Sequence, residues 1–79
     1  MAVYIRIWKV NENEQAAEYE FGEETVACGR LRIVKETGEI VLISPLLNDE
    51  SGKLFARVRY KLGKHLESGE LPERTCWAS

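Results

Sequence analysis

Four bases, Lys53, Arg57, Lys61 and Lys64, recur at spacings of four, four and three residues inside a stretch, 51–66, that also holds Arg59 and no acid. On a helix turning about 100° per residue they share an arc of about 80°, with Tyr60 at its edge. A row of cations beside an aromatic ring has three uses. It can be an ordinary solvated face, neutralised by the chain's own acids; it can follow a phosphate backbone; or it can meet an acidic protein surface. A second constellation lies on what reads as sheet. Tyr4, Arg6 and Trp8 share one face of a strand, and Arg30 and Arg32 share one face of another. Aromatics interleaved with arginines hold single-stranded nucleic acids by base stacking and phosphate pairing. The same residues also serve as cross-strand pairs covering a sheet, or as the centre of a dimer interface.

Other chemistry finds less support. Nucleophilic catalysis needs a base beside the nucleophile, and His65 is the one histidine. It falls inside an apolar helical arc, where a hydrogen-bonded core histidine is expected. Cys28, on a strand, reads as packing, which leaves Cys76 as the candidate reactive thiol. Two cysteines and one histidine, widely spaced, are too few to close a tetrahedral metal site. The carboxylates between 12 and 24 sit on a turn and a solvated strand face, with nothing to raise a pKa. Glycines 22, 29, 38, 52, 63 and 69 are spread singly, so no phosphate-cradling loop forms. The expectation is a non-enzymatic chain with no cofactor, metal or catalytic site.

The elements that must position these groups follow from periodicity. Val3 to Val10 alternates with period two, placing Val3, Ile5 and Ile7 opposite Tyr4, Arg6 and Trp8. After the turn-forming Asn11-Glu12-Asn13-Glu14, residues Ala17, Tyr19 and Phe21 alternate with Glu18 and Glu20 as a second strand, with a short amphipathic helix as the competing reading. Thr25 to Lys35 gives a third. Lys35-Glu36-Thr37-Gly38-Glu39 suits a three-residue hairpin loop with Gly38 left-handed, which pairs Ile33 with Val41 and Leu31 with Ile43. Those four form one apolar face, and Arg30, Arg32, Val34, Ile40 and Leu42 form the other. Pro45 ends the fourth strand, and Asn48, Asp49 or Ser51 can cap a helix. Leu54, Phe55, Val58, Leu62, His65 and Leu66 share an arc of about 120° that packs on the sheet. Gly69 and Pro72 stop the helix. The expected fold is α+β within a single domain, 1–79: an antiparallel four-stranded meander (1–46), a C-terminal helix (49–69) and an irregular tail (70–79) anchored by Trp77.

At 79 residues the chain buries only about 60% of its unfolded surface, and such a core rarely supplies more than about 3–5 kcal/mol net. With no disulfide framework or metal expected, oligomerisation is the remaining aid, and a homodimer is expected. The formal net charge of −2 hides a strong asymmetry: residues 11–24 hold six acids and no Lys or Arg, whereas 51–66 hold five bases and no acid. Arg6 and Lys9 interrupt the apolar opening, so no signal peptide or membrane span is expected, and unpaired thiols suit a reducing, cytoplasmic setting.

The element order, with Lys35-Glu36-Thr37-Gly38-Glu39-Ile40-Val41-Leu42-Ile43-Ser44 leading into the Leu54 to Leu66 helix, resembles the single-strand-binding domains of the Whirly and transcriptional-coactivator type. The resemblance implies a dimer formed through helices and sheet edges, and a curved sheet gripping single-stranded DNA. That family presents a generally basic sheet, whereas the second strand here is acidic. Two functions are therefore expected in competition. One is a dimeric single-stranded nucleic-acid binder, with Arg6, Arg30 and Arg32 on the sheet, stacking from Tyr4 and Trp8, and phosphate contacts from Lys53, Arg57, Lys61 and Lys64. The other is a protein-interaction or assembly module, with an acidic protein among its possible partners. An isoelectric point of about 5.4 leans towards the second.

Overall fold

Alternation in the first two strands sorts apolar from polar side chains, and burial follows it: Ile5 and Ile7, then Ala17, Tyr19 and Phe21, are fully enclosed. A computed structural model describes residues 4–22, 29–46 and 52–78. Its elements are β1 (Tyr4–Glu12), β2 (Ala16–Gly22), β3 (Gly29–Val34), β4 (Ile40–Ser44), α1 (Lys53–Ser68) and β5 (Arg74–Ala78). The five strands form one antiparallel sheet in the order β4-β3-β2-β1-β5.

The α+β class holds, but the sheet has five strands rather than four, and the helix lies between β4 and β5 instead of ending the fold. The segment expected to be an irregular tail returns beside β1, pairing Tyr4 with Ala78, Arg6 with Cys76 and Trp8 with Arg74. Left alone, β1 would present a row of unpaired backbone groups at the sheet edge, and β5 satisfies them. Its five residues are too few for alternation to stand out in sequence. Thr75 and Trp77 nevertheless lie at the register of Ile7 and Ile5, on the helix side, while Arg74, Cys76 and Ala78 lie on the other.

Helix α1 buries Val58 and Leu62 completely against this sheet, with Leu54, Phe55 and Leu66 packed around them. It begins at Lys53, not 49, after Gly52 at φ 74° with no side-chain cap. The proposed caps Asn48, Asp49 and Ser51 lie outside the described residues, as do Val3 and Cys28. The helix ends as expected, with Gly69 left-handed at φ 80° and its N–H donating to the Leu66 carbonyl.

The β3–β4 hairpin shows a second departure. Gly38 is left-handed at φ 75°, but the Val34 N–H donates to the Glu39 carbonyl at 2.8 Å, so four residues rather than three lie in the loop. The register becomes Ile33 with Ile40, Arg32 with Val41 and Leu31 with Leu42, with a bulge before Arg30 meets Ser44. One residue of slip exchanges the two faces of a strand. Ile40 and Leu42 therefore share the helix side with Ile33 and Leu31, and Val41 stands outside beside Arg32.

Two contacts tie the return segment to the core. The Tyr19 hydroxyl donates to the Pro72 carbonyl, and burial pushes this phenol up to about 12, so it remains a donor at ordinary pH. Lys9 Nζ donates to the Leu71 carbonyl at 3.1 Å.

Candidate functional site

The register places one set of polar side chains on the sheet face away from α1. Crossing it from β5 to β4 one meets Arg74 and Cys76, then Tyr4, Arg6 and Trp8, then Glu18 and Glu20, then Arg30 and Arg32, then Val41. The five sheet residues singled out in the sequence are thus on one face. They are not equally free. Glu18 lies directly across from Arg32, and its two oxygens take both arginines: Arg30 at 2.6 Å and Arg32 at 2.9 Å. Arg30 also lies 4.0 Å from Glu20. Hydrogen bonds from Arg30, then Arg32, hold the Glu18 carboxyl below its ordinary value. Next to it, Glu12 bridges Lys35 at 2.7 Å and Lys9 at 2.6 Å, and is pulled down to about 2 by those two ammonium groups. The acids of β1 and β2 therefore neutralise the cations of the sheet. Of the sheet arginines named above, Arg6 and Arg74 make no ion pair among the described residues.

A carboxylate whose folded pKa lies below its unfolded value stabilises the fold above the unfolded pKa and loses that contribution as pH falls through the folded one. For Glu12 the window runs from 4.5 down to about 2. Urea midpoints are expected to fall across this range, and to fall less in Glu12→Gln/Glu18→Gln. Glu12 is solvent-facing and Glu18 partly so, so added salt should flatten the dependence as well. Parallel pH profiles of the two proteins would count against these pairs.

The helix stripe lies on the other side of the sheet. Two ring contacts fix which flank it occupies. Phe55 packs on Phe21 of β2, with centroids 6.0 Å apart, whereas Tyr60 meets Trp77 of β5 edge-on at 5.9 Å. Lys64 sits 5.4 Å over the Tyr60 ring. The flank carrying Arg57, Lys61 and Lys64 thus overhangs β5 and turns away from β4. Lys64 approaches Glu67 at 3.9 Å, and Lys53, Arg57, Arg59 and Lys61 make no ion pair among the described residues. Glu18 and Glu20 of the acidic second strand face away from the stripe and do not neutralise it; Glu23 and Glu24 lie outside the described residues. The structure brings together Tyr4, Arg6, Trp8, Arg30 and Arg32 on one side, and Lys53, Arg57, Lys61 and Lys64 on the other, but not the two sets.

His65 is partly buried at the helix–β5 seam, with Nε2 3.1 Å from Thr75 Oγ1. Cys76 is a free thiol on β5, partly buried. A shallow depression lined by Asn11, Asn13, Gln15, Ala16, Glu18 and Arg32 offers few spare groups, since Asn13 Oδ1 already accepts from the Gln15 and Ala16 amides and Glu18 holds Arg32. Among the described residues no group of three His, Cys, Asp or Glu converges to hold a metal ion, and no helix is long and apolar enough to cross a membrane.

Two features were not located from the sequence, although the third and fourth strands already read as apolar on both faces. The first is the edge of β4, where Val41, Leu42 and Ile43 are 42%, 36% and 43% exposed; the uncharged run Ile40 to Leu47 was its signal. The second is the open edge of β5, for which no signal existed until the tail was known to be a strand. No protein-family model, curated protein or solved structure matches the chain.

Proposed function

We propose that this chain is a non-enzymatic protein-interaction module that engages partners along the edges of its sheet. The observation that carries the reading is the Glu18 carboxylate, which occupies both Arg30 and Arg32 in the middle of the face that stacking and phosphate contacts would need. The unpaired cations of α1 lie across the sheet from Tyr4 and Trp8, so no single surface combines those two rings with the row of free helix bases; Tyr60 is the one exposed ring beside them. This favours a protein partner over single-stranded nucleic acid. The β4 edge supports the same reading. An exposed apolar edge strand without Lys or Glu is a template for strand addition, and alternation from the Val34–Glu39 bond turns the Ile40 and Leu42 backbone groups outward. A second copy adding antiparallel there gives the homodimer expected from the chain's small core.

The test has two arms. A labelled oligothymidylate titrated at low salt is expected to show no binding. Sedimentation equilibrium is expected to show a dimer that Val41→Lys/Ile43→Lys converts to monomer. Oligonucleotide binding that weakens steeply with salt, by about 0.7 log units per log salt for each phosphate contact, and is lost on Tyr4→Ala/Trp8→Ala would restore the nucleic-acid reading in its place.

A further inference from the structure

Strand β5 is the second edge of the sheet, and among the described residues its backbone is open. The Lys9 N–H donates to the Glu73 carbonyl at 2.8 Å, so the pairs Ile7–Thr75 and Ile5–Trp77 are the hydrogen-bonded ones, and the N–H and C=O groups of Arg74, Cys76 and Ala78 point away from the sheet. Overhanging this edge is the cationic flank of α1. Tyr60 lies against Trp77 and His65 against Thr75, so five residues of helix, about 7.5 Å, run alongside two residues of strand, about 6.8 Å. Helix and strand thus advance by similar distances between these two contacts. Arg57 and Lys61 are separated by about 6 Å along the axis and Lys61 and Lys64 by about 4.5 Å, within reach, for long side chains, of the roughly 6.8 Å between same-face residues of an extended chain.

We propose that β5 accepts an extended acidic segment of a partner protein as a sixth strand, with carboxylates at alternate positions meeting Arg57, Lys61 and Lys64. Main-chain bonds to Arg74, Cys76 and Ala78 supply the pairing, and the helix flank supplies the selectivity, as in strand-addition recognition generally. Charge decides the occupant. A second copy of this chain cannot be the guest, because its own β5 brings the same bases against these, and like charges in apposition are repelled. Nor does its β4 carry the acids this flank lacks, being uncharged from Ile40 to Ser44. Glu18 is committed to Arg30 and Arg32 on the opposite face and Glu12 to Lys9 and Lys35; among the described residues Arg57 and Lys61 make no ion pair, and Lys64 approaches only Glu67, at 3.9 Å, so the flank can take a partner's acids.

This assignment rests on the protein-interaction reading, and the experiment separates the two. Amide shifts of the labelled chain are followed while an octapeptide of alternating Glu and Val, the same peptide with Lys for Glu, and an oligothymidylate are added in turn. The Glu peptide is expected to move the Arg74, Cys76 and Ala78 amides, to bind more weakly as salt rises, and to lose at least about tenfold in affinity in Arg57→Glu/Lys61→Glu. Lys64→Glu, at an exposed position, guards against loss of fold and should weaken binding in the same sense. Equal binding of the Lys peptide, shifts confined to β4, or affinity unchanged by charge reversal would each overturn the assignment. If no probe binds, the β5 site alone falls; if the oligothymidylate binds on the Tyr4 and Trp8 face, the protein-interaction reading falls with it.

Discussion

Phe21→Ala is expected to leave the chain largely unfolded at room temperature. The ring is completely enclosed at the end of β2, between Gly29 on the next strand and Phe55 on the helix. Truncating a buried phenylalanine costs about 3–5 kcal/mol through lost transfer energy and the cavity left behind, and a core of this size supplies about that much in total. Far-ultraviolet dichroism and amide dispersion should both collapse, whereas Phe21→Leu should remain folded with a lowered urea midpoint. A cooperative transition for Phe21→Ala within about 1 kcal/mol of the parent would mean that the helix and sheet are held together elsewhere, since a cost that small is below the range for such truncations.

Gly29→Ala is expected to destabilise by about 1–3 kcal/mol, the usual cost of overpacking, although alanine is at least as good a strand residue as glycine. A Cβ at this position would lie 2.4 Å from Phe21 Cζ and under 3 Å from both Cε atoms. The ring covers the glycine backbone and leaves no room for a methyl group, an arrangement in which an aromatic from one strand packs over a glycine of its neighbour. The effect should depend on that ring. In a Phe21→Leu background most of the Gly29→Ala penalty is expected to vanish, giving a coupling energy of about 1 kcal/mol or more in a double-mutant cycle. Strictly additive losses would place the cost in the backbone of β3 rather than in the contact.

Much of the fold was readable from residue order because it depends on local alternation. Ile5 with Ile7, Tyr19 with Phe21 and Leu31 with Ile33 are each two apart, and Val58 and Leu62 are a helical turn apart. What depends on pairing between distant segments was not. The hairpin loop differs by one residue from the expected length, which alone moved Leu42 inward and Val41 outward. Residues 74–78 carry too short a pattern to declare a strand; only a vacant edge on β1 makes them one. The candidate site divides in the same way. The matching alternation of Glu18 and Glu20 with Arg30 and Arg32 was visible, but their mutual neutralisation required the β2–β3 register. The cationic stripe was visible as an arc on a helix, yet the flank of the sheet it overlooks follows from the Tyr60–Trp77 contact, which joins residues on two elements whose packing no periodicity encodes.

The pairing of β1 with β5 also sets an order of events. Tyr4 and Ala78 are neighbours in the finished sheet although nearly the whole described chain separates them, so this contact closes a long loop, and contacts of that kind form late and slowly. During synthesis β1 emerges first and acquires β2 within a hairpin, but its other side stays open until residues 74–78 are free of the ribosome. For that interval the apolar Ile5 and Ile7 lie beside an unpaired edge, the type of surface on which nascent chains aggregate. A chain interrupted before Arg74 would keep that edge permanently. Refolding yield after removal of β5 should therefore fall more steeply with protein concentration than that of the intact chain.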